Sequence, residues 1–235
     1  GNQQNRLYKC TNCNKHISFT AAFTGAQIQK LQDFVKGGGF VFCEDWVVKE
    51  LLERAFPKYV TAGKVLLSDT VDVVPARGNL SHPYLRGIFS TVAKAKSASK
   101  EEEDEKGGRT VVVPPREIDP ARAELVDVRF KWKIDNESFA LDVQGSSVVP
   151  LLTSGELQKK TDGDGWVAVA FRPGHRLPIG QLTPRGTPGV VLAVLSHFGK
   201  QDSRLDEATL ENLLLNFLID ANAARRAREV SRGRR

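Results

Sequence analysis

The sequence predicts an α/β fold: a mixed sheet, parallel in its centre and covered by helices on both faces. Three observations predict it. Helical patterns alternate with short apolar strands in the first third of the chain. A nearly uninterrupted apolar strand, GVVLAVLSHFG at 189–199, precedes a long helical pattern at the end. Between them lie strand-like segments joined by turn residues.

In chain order, LYKCTN at 7–12 reads as a strand running into a loop. Thr24 is a helix cap for residues 25–36, where Ile28, Leu31, Phe34 and Val35 fall on one helical face. Gly37, Gly38 and Gly39 stop that helix, because glycine takes the left-handed conformation without a Cβ clash. FVF at 40–42 is a buried strand. A second helix is expected from Asp45, its N-cap, to Phe56, with Pro57 ending it. GKVLLS suggests a strand at 64–68, and SHPYLRGIFS at 81–90 a loop and short helix. The charged, apolar-poor stretch at 93–110 reads as a mobile surface loop inside the domain. VRFKWKI at 128–134 and SFALDVQ at 138–144 alternate around Asp135-Asn136, a hairpin signal. SVVPLLT and GWVAVAF (165–171) are further strands, and a helix over 206–225 buries Leu210, Leu213, Leu214, Phe217 and Leu218.

The 235 residues are enough for a sizeable core and read as a single α/β domain over 1–225. No apolar run approaches the length of a membrane helix. The net charge of +6 is local: residues 225–235 hold six Arg and one Glu. Residues 226–235 read as a basic disordered tail. Contact with nucleic acid or an anionic surface is therefore expected only through 225–235. Met is absent even at position 1, as in a processed or truncated chain, so a lost signal peptide or anchor stays open and the compartment unassigned.

Short motifs carry a resemblance. TGAQIQKLQDFV, GGGFVF, Glu44-Asp45, the Phe-Pro at 56–57, SHPYLRGIF, PLLTS, the strand ending LSHFG, and ENLLLNFLI follow one another in the order found in the class I glutamine amidotransferase-like superfamily. More narrowly, the chain resembles the bacterial domain of unknown function family 4159. The resemblance implies a flavodoxin-like three-layer sandwich whose usual first strand and helix are missing before LYKCTN. It further implies a truncated chain, or a partner polypeptide that completes the sheet.

The residues admit three chemistries. The first is a Cys-His hydrolase or amidotransferase. The superfamily keeps a nucleophilic Cys on a strand-to-helix turn and a His after a later strand, the positions of Cys43 and His197 here. The flanking residues argue against it: Val41, Glu44 and Asp45 stand where a nucleophile elbow needs small residues, and carboxylates beside a thiol raise its pKa. The second is zinc, through Cys10, Cys13 and His16 at C-x2-C-x2-H spacing, with Cys43, His82 or His197 as an unassigned fourth ligand. The third is a ligand edge formed by Glu44, Asp45 and His82. The triple glycine precedes a strand, so it is no phosphate loop. The preferred reading is a catalytically inactive amidotransferase-like domain without cofactor. It would work in binding or assembly, as a subunit or fragment of a larger bacterial complex with a protein partner.

Overall fold

The computed structural model describes residues 6–9, 16–19, 23–45, 47–89, 93–94, 124–125, 130–175, 178–180 and 187–232. Cys10, Cys13 and most of 93–110 lie outside them. Strands β1 (Arg6–Lys9) and β2 (His16–Phe19) pair as an antiparallel hairpin, apart from the main sheet. Helix α1 (Gly25–Lys36) starts in a capping box: Thr24 Oγ1 accepts from the Gln27 amide (3.3 Å), while Gln27 Oε1 accepts from the Thr24 amide (2.8 Å). It ends at the glycines, with Gly38 at φ +94°. Ile28 and Val35 are buried as expected, but Phe34 is 56% exposed. Its ring lies over Gly39, in the space a Cβ there would fill.

Strand β3 (Val41–Glu44) follows. The next helix is shorter and less regular than expected. A π-helical turn over Val48–Leu52 passes into α2 (Glu53–Ala55), and Val48, Leu52, Ala55 and Phe56 are buried. Asp45 is not its N-cap: it takes a left-handed φ of 55°, whereas a cap residue is extended, and the helix start has no side-chain cap.

Strands β4 (Val60–Val65) and β5 (Asp69–Pro75) come next, then a single 3-10 turn (Pro83–Leu85). β4 lies earlier than the expected 64–68, and β5 was not expected. The two-residue pair β6 (Ala93–Lys94) and β7 (Glu124–Leu125) is antiparallel. Strands β8 (Phe130–Ile134) and β9 (Phe139–Val143) do not form the expected hairpin. β8 pairs with β5, and β9 with β4. Between them Glu137, at φ 66°, bends the chain so that it passes from one sheet to the other instead of reversing. Strand β10 (Val148–Thr153), helix α3 (Gly155–Thr161), strands β11 (Trp166–Phe171) and β12 (Val191–Val194), and helix α4 (Arg204–Arg232) complete the order. α3 is capped by Ser154, whose Oγ accepts from the Leu157 amide at 3.2 Å. The basic stretch is not a disordered tail up to Arg232. Its Ala- and Arg-rich sequence prolongs α4, and Arg228 donates to the Gly38 carbonyl at 2.6 Å.

The main sheet is mixed and six-stranded, ordered β3-β12-β11-β10-β5-β8. Its one parallel pairing, β3 with β12, lies at an edge and not in the centre. The other four pairings are antiparallel. The antiparallel β5, β10 and β11 occupy positions that a doubly wound sheet gives to parallel strands. Val167–Phe171 and Val191–Val194 are completely buried, so both faces of this part are covered. On one face Phe40 and Phe42 pack on Phe217 of α4, with ring centroids 5.5 and 6.1 Å apart. Gly189 crosses Gly39 so closely that a Cβ there would overlap its carbonyl, which explains a glycine before β12.

Candidate functional site

The parallel pair β3–β12 delivers two chain ends to one place. Glu44 ends β3 and Asp45 follows it; beyond β12 stand Ser196 and His197. Successive strand side chains point to opposite faces. Phe42 and Glu44 therefore share the α4 face, and Cys43 points to the other.

His197 engages Glu44. Its Nδ1 lies 3.1 Å from Glu44 Oε2, an ion-pair distance without the alignment of a hydrogen bond. The Glu44 carboxylate pushes the His197 pKa up, against the opposing effect of burial. Asp45 turns the chain and is 2% exposed. Its amide donates to the Val194 carbonyl at 2.8 Å, and its Oδ1 accepts from Ser138 Oγ. Burial raises the Asp45 pKa to about 6, with the Ser138 hydrogen bond opposing the rise and the Asp135 charge adding to it. Glu44 Oε1 and Asp45 Oδ2 are buried without a hydrogen-bond partner. Lys200 pairs with Asp135 beside them.

The loop after β12 is held by Gln201. Its Nε2 donates to Ser196 Oγ and to the His197 carbonyl, both at 2.8 Å, and its Oε1 accepts from the Lys133 amide at 2.9 Å. That fixes His197 relative to β8. Ser138, Asp135, Lys200 and Gln201 were not singled out from sequence. Only Lys200 and Gln201 had a usable signal, as polar residues directly after the most apolar strand.

The structure thus brings Glu44, Asp45 and His197 together. It does not join Cys43 to His197: no hydrogen bond links them. Cys43 is buried, and burial, with a smaller effect of the Glu44 charge, pushes its thiol up to about 12. At neutral pH such a thiol stays protonated, and the protonated form is not the nucleophile. The residue with elbow-like backbone is Asp45, two positions later. Ser138 donates its hydroxyl hydrogen bond to Asp45, so the cluster holds a His–carboxylate pair beside a Ser–carboxylate pair.

His82 stands elsewhere. It caps the 3-10 turn, its Nδ1 accepting from the Tyr84 amide at 3.1 Å, and its ring meets Tyr84 edge-on at 5.0 Å. Burial lowers its pKa to about 4. Nearby, Tyr84 donates to Asp220 Oδ2 at 2.6 Å, and the fully buried Arg172 donates to the Pro188 carbonyl. Arg172 follows β11, antiparallel to β12, so this second polar cluster lies at the opposite end of the sheet.

His16 begins β2, while Cys10 and Cys13 lie outside the described residues, so their zinc spacing has no geometry to set beside it. Among the described residues no group of three or more His, Cys, Asp or Glu is placed to hold a metal ion. Among them, too, no helix is long and apolar enough to cross a membrane.

No family model and no curated protein matches the chain. Among solved structures, the mmIFT52 N-terminal domain aligns over 83% of this chain and 72% of that one, at 14% identity and a TM-score of 0.40. A likeness of that size carries no functional argument.

Proposed function

We propose that the chain is a non-catalytic, amidotransferase-like domain of the flavodoxin-like three-layer kind, serving binding or assembly within a larger bacterial complex. The observation that carries the reading is the division of the would-be dyad. Cys43 is buried with its thiol protonated, while His197 engages Glu44. A nucleophile needs its base within hydrogen-bond reach. The residue in the strained turn, Asp45, is a buried carboxylate tied to Ser138 and not a thiol.

An assembly role is supported by the sheet edge. β3 is a terminal strand, and its bonds to β12 use Val41 and Asp45, leaving the alternate backbone groups at Phe42 and Glu44 directed outward. Among the described residues no strand pairs with that side, and such an edge accepts a strand from a partner. The covering of both sheet faces supports the layered fold.

Ammonia release from glutamine by the purified chain tests the non-catalytic reading. The expected result is a rate equal to buffer and unchanged in Cys43→Ala. Release that disappears in both Cys43→Ala and His197→Ala would replace this reading with the hydrolase.

A further inference from the structure

Helix α4 has two faces. Leu210, Leu213, Phe217 and Ala224 are buried against the domain. At 100° per residue, the opposite face is centred on Leu215 and carries Arg204, Glu211, Leu218, Ile219, Asn222, Arg226 and Glu229. This outer face is apolar in its middle: Leu215, Leu218 and Ile219 are 53%, 51% and 58% exposed. Exposed single leucines are ordinary, but three on one stripe of a helix over 40 Å long, by about 1.5 Å per residue, form a seam. Beside it runs a groove of about 760 Å³, walled by Phe198, Leu214, Leu215 and Leu218 and rimmed by Glu207 and Glu211.

The charges flanking this seam have an order. Along the outer face they run Arg204, Glu211, then Arg226, Glu229: positive, negative, positive, negative. Read backwards, the series is its own complement. A second α4 laid antiparallel, with the two-fold axis near Leu218, sets Glu211 against Arg226 and brings Arg204 to about one turn from Glu229. Leu218 then meets Ile219, and Leu215 meets Asn222. Each contact occurs twice, as a two-fold interface requires. A parallel, in-register pair would instead set every charge against its like. The Arg225–Glu229 pair at 2.8 Å holds Glu229 beside the seam.

We infer that the occupant of this face is a second copy of the chain, docked antiparallel through α4. This inference deepens the assembly reading by naming its partner. Opposite charges at the rim of an apolar seam fix register and orientation more than they add affinity, so a dimer of micromolar strength is expected.

Sedimentation of the full chain over a range of micromolar concentrations tests it. The parent is expected to dimerise with concentration. Glu211→Arg and Arg226→Glu, each placing like charges together, should each weaken the dimer at least about fivefold. The double variant E211R/R226E restores opposite pairs and should return to within about twofold of the parent. Leu218→Asp should leave only monomer. All three positions are exposed, and circular dichroism checks that each of the four variants is folded. A parent that stays monomeric, a dimer indifferent to Leu218→Asp, or a double variant no better than the singles would overturn the inference. A monomer with inert Cys43 removes self-pairing alone; a dimer with reactive Cys43 removes the non-catalytic reading alone.

Discussion

The two ends of the main sheet both bury polar side chains, but they are built differently. At the carboxyl end of β3, Asp45, Glu44 and His197 meet across a parallel pair, with two carboxylate oxygens left without donors. At the other end, Arg172, Asp220, Tyr84 and His82 gather between β11, the 3-10 turn and α4, and there Arg172 Nε and Nη2 lack acceptors. One end carries an excess of acceptors, the other an excess of donors. The first includes a strained turn and partial exposure at His197 and Glu44. The second locks α4 to the domain, with Asn216 also donating to the Tyr84 and Arg86 carbonyls at 3.0 and 2.8 Å. The difference teaches that burial of charge does not by itself mark a site. Both ends are tied by contacts distant in sequence, but the Arg172 end anchors α4, whereas the Asp45 end sits where two strands stop.

The comparison breaks most visibly by removing Arg172. Arg172→Ala leaves the half-buried Asp220 without its nearby cation and opens a cavity in the core, so a loss of about 3–5 kcal/mol is expected in denaturant unfolding. Arg172→Met keeps the volume and should lose less. At the other end the effect is smaller. Asp45→Ala leaves the Ser138 hydroxyl without its acceptor and keeps an unfavourable φ, for a loss of about 1–3 kcal/mol. Asp45→Gly relieves the backbone and should fall below that, and equal losses for the two variants would remove the backbone part of the account.

The smallest effects are in pH dependence, where the ends have opposite signs. Asp45 has a folded pKa of about 6, above its unfolded value, so the folded state holds extra protons. Its contribution to stability falls as pH rises from roughly 4 to 6. His82, lowered to about 4, holds fewer protons when folded, so its contribution grows from about 4 to the ordinary histidine range. Asp45→Asn should steepen the rise of stability with pH in this window, and His82→Asn, which keeps the cap, should flatten it. His197, raised by Glu44, adds stability that is complete below its unfolded pKa and lost as pH climbs through the folded one. Thermal unfolding of both variants across pH separates Asp45 from His82; parallel profiles would contradict the assignments.

Much of this was legible where local chemistry decides structure. The Thr24 cap, the glycine stop and the apolar strand at 191–194 all follow from residue type and spacing. The pairing of β8 and β9 did not. Asp135-Asn136 looks like a two-residue hairpin turn, yet the bend falls at Glu137, and pairing with β5 and β4 depends on distant sequence. The charge of the Arg-rich end suggests a solvated tail, while its alanines and the Arg225–Glu229 pair favour helix. The reach of His197 toward Glu44 was legible only as a shared sheet edge. That Asp45, and not Cys43, occupies the left-handed turn had only a weak sequence signal: aspartate is enriched in that conformation among non-glycine residues, but most aspartates do not adopt it.

The reactivity of Cys43 tests the central claim most directly. In a C10S/C13S background, the rate of thiol labelling is followed against pH under native conditions. The account predicts slow labelling that requires opening of the fold, with no titration midpoint in the range of free thiols. Rapid labelling with a midpoint well below about 8.5, abolished by His197→Ala, would show an activated thiolate and contradict it.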